Sequence, residues 1–159
     1  MKALKTFLVV LLTSSLLTAC DKIDFKDLFD KKPKKEVTKI DLPVNGAQEV
    51  PVVVTSASGL MNVSYIKKEK RLYYKVTWNN LTGVPVGAHI HGESTKGVNA
   101  AVKHPFTDLI PKTVSGSFTN SVLVDEVSIK EEGLLKGLYY LNIHTAKFPG
   151  GEIRGQIEF

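Results

Sequence analysis

Apolar and polar residues alternate with a period of two along two neighbouring stretches of the chain, MNVSY at 61–65 and LYYKVTW at 72–78. This is the periodicity of a β-strand that buries one face. The polar run KKEKR between the two stretches predicts a hairpin turn. The residues predicted to share the buried faces are Met61, Val63, Tyr65, Leu72, Tyr74, Val76 and Trp78.

Further short stretches have the composition of strands, and Gly, Asn and Pro separate them. They are Val50 to Val54, Val86 to His91, Val122 to Ile129, Leu138 to His144 and Gly151 to Phe159. No stretch has a convincing helical period. The sequence therefore predicts one all-β domain over residues 40–159, an antiparallel Greek-key sandwich or flattened barrel.

The first twenty residues have the features of a secretory signal peptide. Lys2 and Lys5 precede an apolar run at 7–17, which is shorter than the roughly 20 residues of a membrane-spanning helix. The closing LTAC resembles the lipobox of bacterial lipoproteins, which implies that Cys20, the only cysteine, is lipidated. We therefore expect a lipid-anchored protein of the bacterial cell envelope, outside the cytoplasm. The alternative is an ordinary signal peptide with a chance cysteine.

Residues 21–39 predict a charged, flexible tether. They carry seven lysines and five acidic residues with few apolar ones, a composition that cannot bury enough surface to fold. The alternative is that KKPKK lies on anionic lipid headgroups. Of the formal net charge of +5, the signal peptide and the tether each account for two units, which leaves +1 on the rest. A nearly neutral domain argues against nucleic acid as a partner.

His89 and His91 lie one residue apart in AHIHG, so both project from the same face of the predicted strand. Ala88 and Ile90 suit a core, which turns the two histidines outward. The same argument turns His144 outward in YYLNIHTA. If the two strands are neighbours, the three imidazoles converge and could hold Zn or Cu. In that case we expect their nitrogens within about 4 Å of one another.

A purely structural role for these histidines is the alternative, since a His-x-His pair also arises by chance. Outward-facing rings then only hydrogen-bond to neighbouring segments. His104 precedes a proline in a predicted loop, where we expect a solvated side chain.

Glu152 and Arg154 lie on the polar face of the last predicted strand, and we expect both on the solvent side. In one interpretation Glu152 forms an exposed ion pair with a neighbouring base, which contributes only about 0–1 kcal/mol. In the other, Glu152 accepts a hydrogen bond from a metal-ligating imidazole.

Three sequence blocks, NGAQEVPVVVTSASG, AHIHG and LYYLNIHTAKFPGGEIRGQI, closely resemble the CHRD (chordin-type) domain, in order and at suitable spacing. The resemblance covers residues 44–157. Such domains occur in animal chordins, which bind secreted growth factors, and in bacterial secreted proteins and lipoproteins of unknown role. The resemblance implies an all-β sandwich and no particular activity.

A fainter likeness is to copper/zinc superoxide dismutase, a Greek-key sandwich. It implies that His89, His91 and His144 are copper ligands and that Arg154 guides an anion, with His104 a loose match to the bridging histidine. The chain departs from that family because it has no cysteine for the internal disulfide and no convincing zinc cluster. Dismutase activity is therefore in doubt, while a mononuclear copper site stays open.

Two main functional hypotheses follow, with a purely structural envelope protein as a third. The first is a non-enzymatic, envelope-anchored binding module for a protein, a glycan or a metal ion, because the chain has no nucleophile elbow, phosphate loop or HExxH pair. The second is a copper-dependent enzyme of the superoxide dismutase type.

Overall fold

A computed structural model describes residues 36–159. The predicted signal peptide, Cys20 and the tether up to residue 35 lie outside the described residues. Residues 36–39, predicted as the end of the tether, instead begin the first strand. They are mostly exposed and are held by backbone pairing with a neighbouring strand, in register from Glu36 opposite Ile66. Burial is therefore not what makes this charged stretch a strand.

Within residues 36–159, eight antiparallel strands form a single sheet, which confirms the predicted all-β class. The strands are β1 (Glu36–Asn45), β2 (Ser58–Ile66), β3 (Arg71–Asn79), β4 (Pro85–Gly92), β5 (Val102–Pro105), β6 (Gly116–Leu123), β7 (Tyr139–Thr145) and β8 (Ile153–Ile157). Their order in the sheet is β5-β4-β7-β8-β1-β2-β3-β6. One short helix, α1 (Glu131–Leu135), precedes β7, and 3-10 turns occupy Gly46–Gln48 and Lys67–Glu69.

The sheet curls until its two edge strands approach each other, so the fold is a nearly closed barrel. Phe106, directly after β5, stacks on Phe118 of β6, with ring centroids 5.6 Å apart. Tyr74 of β3 contacts both of these rings. Aromatic side chains therefore close the gap that backbone hydrogen bonds leave open.

The predicted hairpin of β2 and β3 is confirmed, and its inward face forms much of the core. Met61 lies opposite Val76 and Val63 opposite Tyr74, and all four side chains have no exposed surface. Trp78 is equally buried, and its indole N–H donates to the Thr113 carbonyl at 2.9 Å. Alternation along these strands thus locates the core correctly.

Two of the predicted strands are wrong. Residues 50–54 form an irregular connection in which Val54 is 94 % exposed, so β-branched residues here do not mark a buried strand. Strand β6 ends at Leu123, before most of the predicted stretch. The chain turns next, because the Asp125 carboxylate accepts backbone N–H groups from Val127, Ser128 and Ile129.

His104 was expected in a loop but lies in β5. Its ring packs near Tyr74 and Phe106, and its Nε2 is buried without a hydrogen-bond partner among the described residues. The expectation of a solvated side chain is therefore wrong.

Across residues 36–159, no helix combines the length and the apolar character that crossing a membrane requires.

Candidate metal centre

The outer face of three neighbouring strands, β4, β7 and β8, carries the candidate site. The register of β4 with β7 places His89 opposite Asn142 and Gly87 opposite His144. On its other side, β7 places Asn142 opposite Arg154 of β8. Ala88, Ile90 and Ile143 point into the core with no exposed surface, as expected. The histidines of β4 therefore lie beside His144 on one face.

The three imidazoles converge. The nitrogens that His89, His91 and His144 offer all lie within 4.8 Å of one another. Nδ1 of His89 is 3.1 Å from Nε2 of His144, which matches the spacing of about 2.9–3.4 Å for two nitrogens bound to one ion at roughly 2.0–2.1 Å. Ligands on opposite sides of such an ion are about 4.2 Å apart, so the widest pair has to close slightly on binding.

Backbone carbonyls fix the orientation of two of the rings. Nδ1 of His91 lies 2.9 Å from the Ala100 carbonyl, and Nδ1 of His144 lies 2.8 Å from the Pro149 carbonyl. A carbonyl oxygen only accepts, so both Nδ1 atoms carry the proton and each neutral ring has its lone pair on Nε2. The Nε2 atoms are the ones that face the cluster, an arrangement usual for metal-binding histidines.

A carboxamide oxygen completes this group of lone pairs. Oδ1 of Asn142 is 3.0 Å from Nε2 of His91 and 3.0 Å from Nε2 of His144. With both rings neutral, three acceptor atoms point toward one another without a proton between them. A positive ion in their midst would satisfy all three, so the donor set fits a metal cation.

Burial keeps the rings neutral. It is the main cause that lowers the pKa of His89 to about 4, and the neighbouring imidazoles of His144 and His91 add to the effect. Burial also lowers the pKa values of His91 and His144, against the opposing influence of their backbone hydrogen bonds. The neutral imidazole is the form that binds a metal.

Access to the cluster is through His89. His91 and His144 are 8 % and 9 % exposed, whereas His89 is partly exposed and has Thr107 Oγ1 3.4 Å from its Nε2. Gly87 leaves room beside the cluster, since a Cβ there would lie 3.2 Å from the His144 ring.

Arg154 is not on the solvent side, because the loop between β4 and β5 folds over this face of the sheet. The guanidinium is 1 % exposed. It donates to the Val98 carbonyl at 3.0 Å and to Asn99 Oδ1 at 3.3 Å, and its Cζ lies 3.3 Å from the centre of the Tyr140 ring. Arg154 therefore anchors the loop that supplies the Ala100 carbonyl to His91.

Tyr140, which the sequence analysis did not single out as a site residue, supports His91 in two ways. The two rings stack in parallel, with centroids 4.7 Å apart. The Tyr140 hydroxyl accepts the backbone N–H of Ala100 at 3.2 Å, and Ala100 is the residue whose carbonyl orients His91.

Glu152 is also buried, with no exposed surface, so the expected exposed ion pair is wrong. Its carboxylate accepts the hydroxyls of Thr55 at 2.7 Å, Thr82 at 2.9 Å and Thr145 at 2.7 Å. The backbone N–H of Thr82 donates to it as well. No imidazole contacts it, so Glu152 joins two connecting segments to the end of β7 rather than holding a histidine.

Glu49 is the residue that the sequence analysis missed altogether. It is 4 % exposed, and its Oε1 is buried without a hydrogen-bond partner among the described residues. The nearby Asn142 amide favours the charged form of the carboxyl group. Burial raises the pKa of Glu49 to about 7, although Arg154 opposes this shift. Gly151, at φ +126°, packs directly on both groups, and a Cβ there would overlap the Glu49 carboxyl and lie 2.9 Å from Asn142 Nδ2.

Sequence signals for Glu49 and for the glycine that packs on it were present. Glu49 lies in NGAQEV and Gly151 in FPGGEIRG, two of the blocks that resemble the CHRD domain. His104 remains outside the cluster of His89, His91 and His144.

These features define an all-β domain whose outer face carries a loop-covered cluster of three histidines and an asparagine. The CHRD domain family model matches residues 41–157. The chain therefore belongs to the CHRD domain family. No curated protein sequence and no solved structure matches it.

In the metal-free protein we expect the His89 ring to titrate near pH 4, as burial and the adjacent imidazoles dictate. Since the unfolded chain takes up this proton near 6.5, the contribution of His89 to stability is present above that pH and is lost as the pH falls toward 4. Imidazole chemical shifts followed by NMR across pH 3–8 measure the midpoint.

The chain unfolded in urea is the control for that titration. Glu49, with its raised pKa, contributes with the opposite sign between about pH 4.5 and 7, so the ring itself has to be followed rather than overall stability. A His89 midpoint at 6.5 or above in the folded protein would contradict the burial argument.

Proposed function

We propose that this CHRD-domain protein is an envelope-anchored lipoprotein that acts as a non-enzymatic binding module for a copper or zinc ion. The metal ligands are His89, His91 and His144. The observation that carries the proposal is the convergence of imidazole lone pairs and the Asn142 oxygen on one point. Acceptor atoms that face one another with no proton between them repel one another, and a cation placed among them removes this repulsion.

The chemistry of the donors supports copper and zinc over harder cations. Neutral imidazoles suit Zn and Cu, whereas Mg and Ca prefer carboxylate and water oxygens. The folded domain offers no thiolate, since the only cysteine is Cys20. For a given set of nitrogen and oxygen donors, Cu(II) binds more tightly than Zn.

Anchoring at the envelope is proposed from the sequence alone. The lipobox-like LTAC motif places Cys20 at the start of the mature protein, and the charged residues after it separate the domain from the membrane. Two or more acyl chains hold a protein stably at a bilayer, while one chain does so only marginally. The partners are then the membrane and a metal ion, with an envelope protein as a further partner and no nucleic acid.

The competing function is a copper-dependent enzyme of the superoxide dismutase type. It is favoured by the His-x-His pair with a third histidine. It is disfavoured by Arg154, because a guanidinium that guides an anion has to offer free N–H groups, and this one is buried and donates to Val98 and Asn99. We therefore propose binding without turnover.

Replacing any one of His89, His91 and His144 by alanine should lower Cu(II) affinity more than about 100-fold, beyond the 10- to 100-fold typical of losing a residue that only supports a ligand. Titration with a competing chelator measures the affinity, and elemental analysis of protein from its native envelope identifies the metal. His104→Ala is the matched control, because His104 is the one histidine outside the cluster. Wild-type protein that binds neither copper nor zinc would refute the proposal.

The copper-loaded protein should not accelerate superoxide decay above the rate of the metal-free protein. The reason is the burial of Arg154, which leaves no free guanidinium beside the cluster. Pulse radiolysis at fixed copper concentration makes the comparison. If the copper-loaded protein accelerates superoxide decay and His144→Ala abolishes that acceleration, the dismutase hypothesis would replace the binding-module hypothesis.

Cys20→Ala should move the protein from the membrane fraction to the soluble fraction, because the variant lacks the thiol that receives the lipid. Fractionation with immunodetection measures the distribution, and mass spectrometry of the wild-type N-terminal peptide detects acyl chains. Cys20→Ser serves as a second variant of closer size. Wild-type protein without acyl chains on Cys20 would leave only an ordinary signal peptide.

A further inference from the structure

We propose that the carboxamide oxygen of Asn142 is a fourth donor to the metal and that Glu49 is the positioning residue that turns it toward the ion. This deepens the proposed function and rests on it. Neither residue belongs to the histidine set from which the site was first inferred.

The position of Asn142 favours a ligand over a bystander. Its Oδ1 is equidistant, at 3.0 Å, from the Nε2 atoms of His91 and His144. An ion bound to both nitrogens at roughly 2.0–2.1 Å can sit within bonding distance of that oxygen, since carboxyl and amide oxygens bind Zn at similar lengths. Asn142 is 2 % exposed, so solvent water does not compete for its oxygen.

An ordinary hydrogen bond does not account for this geometry. The Nδ1 protons of His91 and His144 are directed at the Ala100 and Pro149 carbonyls, and a neutral imidazole has no second proton to give. Oδ1 therefore faces two ring nitrogens as a third acceptor. With the amide in this orientation, a cation among the three acceptors accounts for the place of Oδ1 in the cluster, and the rings alone do not.

Glu49 decides which end of the amide faces the cluster. A primary amide has an accepting oxygen and a donating nitrogen, and rotation by half a turn exchanges them. Glu49 Oε1 and Asn142 Nδ2 both lie beside Gly151. An ionised Glu49 carboxylate only accepts hydrogen bonds, so it favours the orientation with Nδ2 toward itself and Oδ1 toward the histidines. Both groups pack on Gly151, where a Cβ would overlap the Glu49 carboxyl and lie 2.9 Å from Asn142 Nδ2.

Arg154 holds this pair in place from the next strand. It lies across from Asn142 in the β7–β8 register, and its positive charge acts on the Glu49 carboxyl. Glu49 thus supports metal binding through Asn142 without touching the metal.

The test measures Cu(II) affinity and the electron paramagnetic resonance spectrum of the bound Cu(II) in purified protein made from the full-length sequence. Asn142→Ala should weaken binding by about 10- to 100-fold, and so should Glu49→Leu, the range found when the support of a ligand is removed. Glu49→Gln keeps a neutral acceptor and should lose less. The double variant Asn142→Ala/Glu49→Leu should bind no worse than Asn142→Ala, because Glu49 acts only through Asn142.

A double variant that exchanges the acid and the amide distinguishes loss of metal binding from loss of folding. In Glu49→Gln/Asn142→Asp the donor and the acceptor change places, so one oxygen still faces the histidines and an amide donor stands behind it. This variant should bind Cu(II) at least as tightly as the wild type. Glu152→Gln is the control for removing a buried carboxylate nearby, and it should lower stability while leaving the copper spectrum unchanged.

The outcomes separate the two proposals. If the wild type binds neither copper nor zinc, both fall. If copper binding depends on the three histidines but Asn142→Ala keeps wild-type affinity and spectrum, only this inference falls. It also falls if the losses from Asn142→Ala and Glu49→Leu add in the double variant, or if the exchanged pair binds as weakly as Asn142→Ala.

Discussion

The antiparallel register between β4 and β7 is the constraint on which the candidate site depends. It sets Ala88 and Ile90 against Ile143 and Leu141 on the inner side, and all four side chains are fully buried. Because side chains alternate, the same pairing sets the histidines and Asn142 on the outer side. A slip of one residue would bring imidazoles into the core and aliphatic groups to the surface. The core therefore specifies the geometry of the site.

A second layer of structure lies over that outer face and changes its chemistry. The connections at 46–57 and 93–101 are joined by the Asn99 amide, which donates to the Val50 carbonyl at 2.8 Å. Under this cover the positive charge of Arg154 acts on the Glu49 carboxyl, while Glu152 has its threonine donors. Burying such groups is costly unless they are paired or hydrogen-bonded. The cover also lowers the histidine pKa values, which favours metal over protons.

Period-two alternation predicted the β2–β3 hairpin, the inner faces and the outward direction of His89, His91 and His144, because each follows from a single strand. It failed for Arg154 and Glu152, since alternation tells which face a residue is on but not whether a loop covers that face. It could not find Glu49, which lies in an irregular connection and reaches the site only through tertiary packing. Asn142 lies two residues before His144, so alternation puts it on the same outward face, but its contact with two rings depends on strand register, which one sequence does not reveal.

The proposed metal binding would be coupled to the order of the covering loops in this arrangement. The rings that offer Nε2 to the cluster use Nδ1 to hold Ala100 and Pro149, so the two connections and the ligands are fixed together. The domain has no disulfide to stabilise these connections, as the only cysteine is Cys20. An ion bound to the folded state and not to the unfolded chain adds its binding free energy to the stability of the fold. In a domain without crosslinks, that ion would take the place of a covalent link between β4, β7 and the loops that cover them.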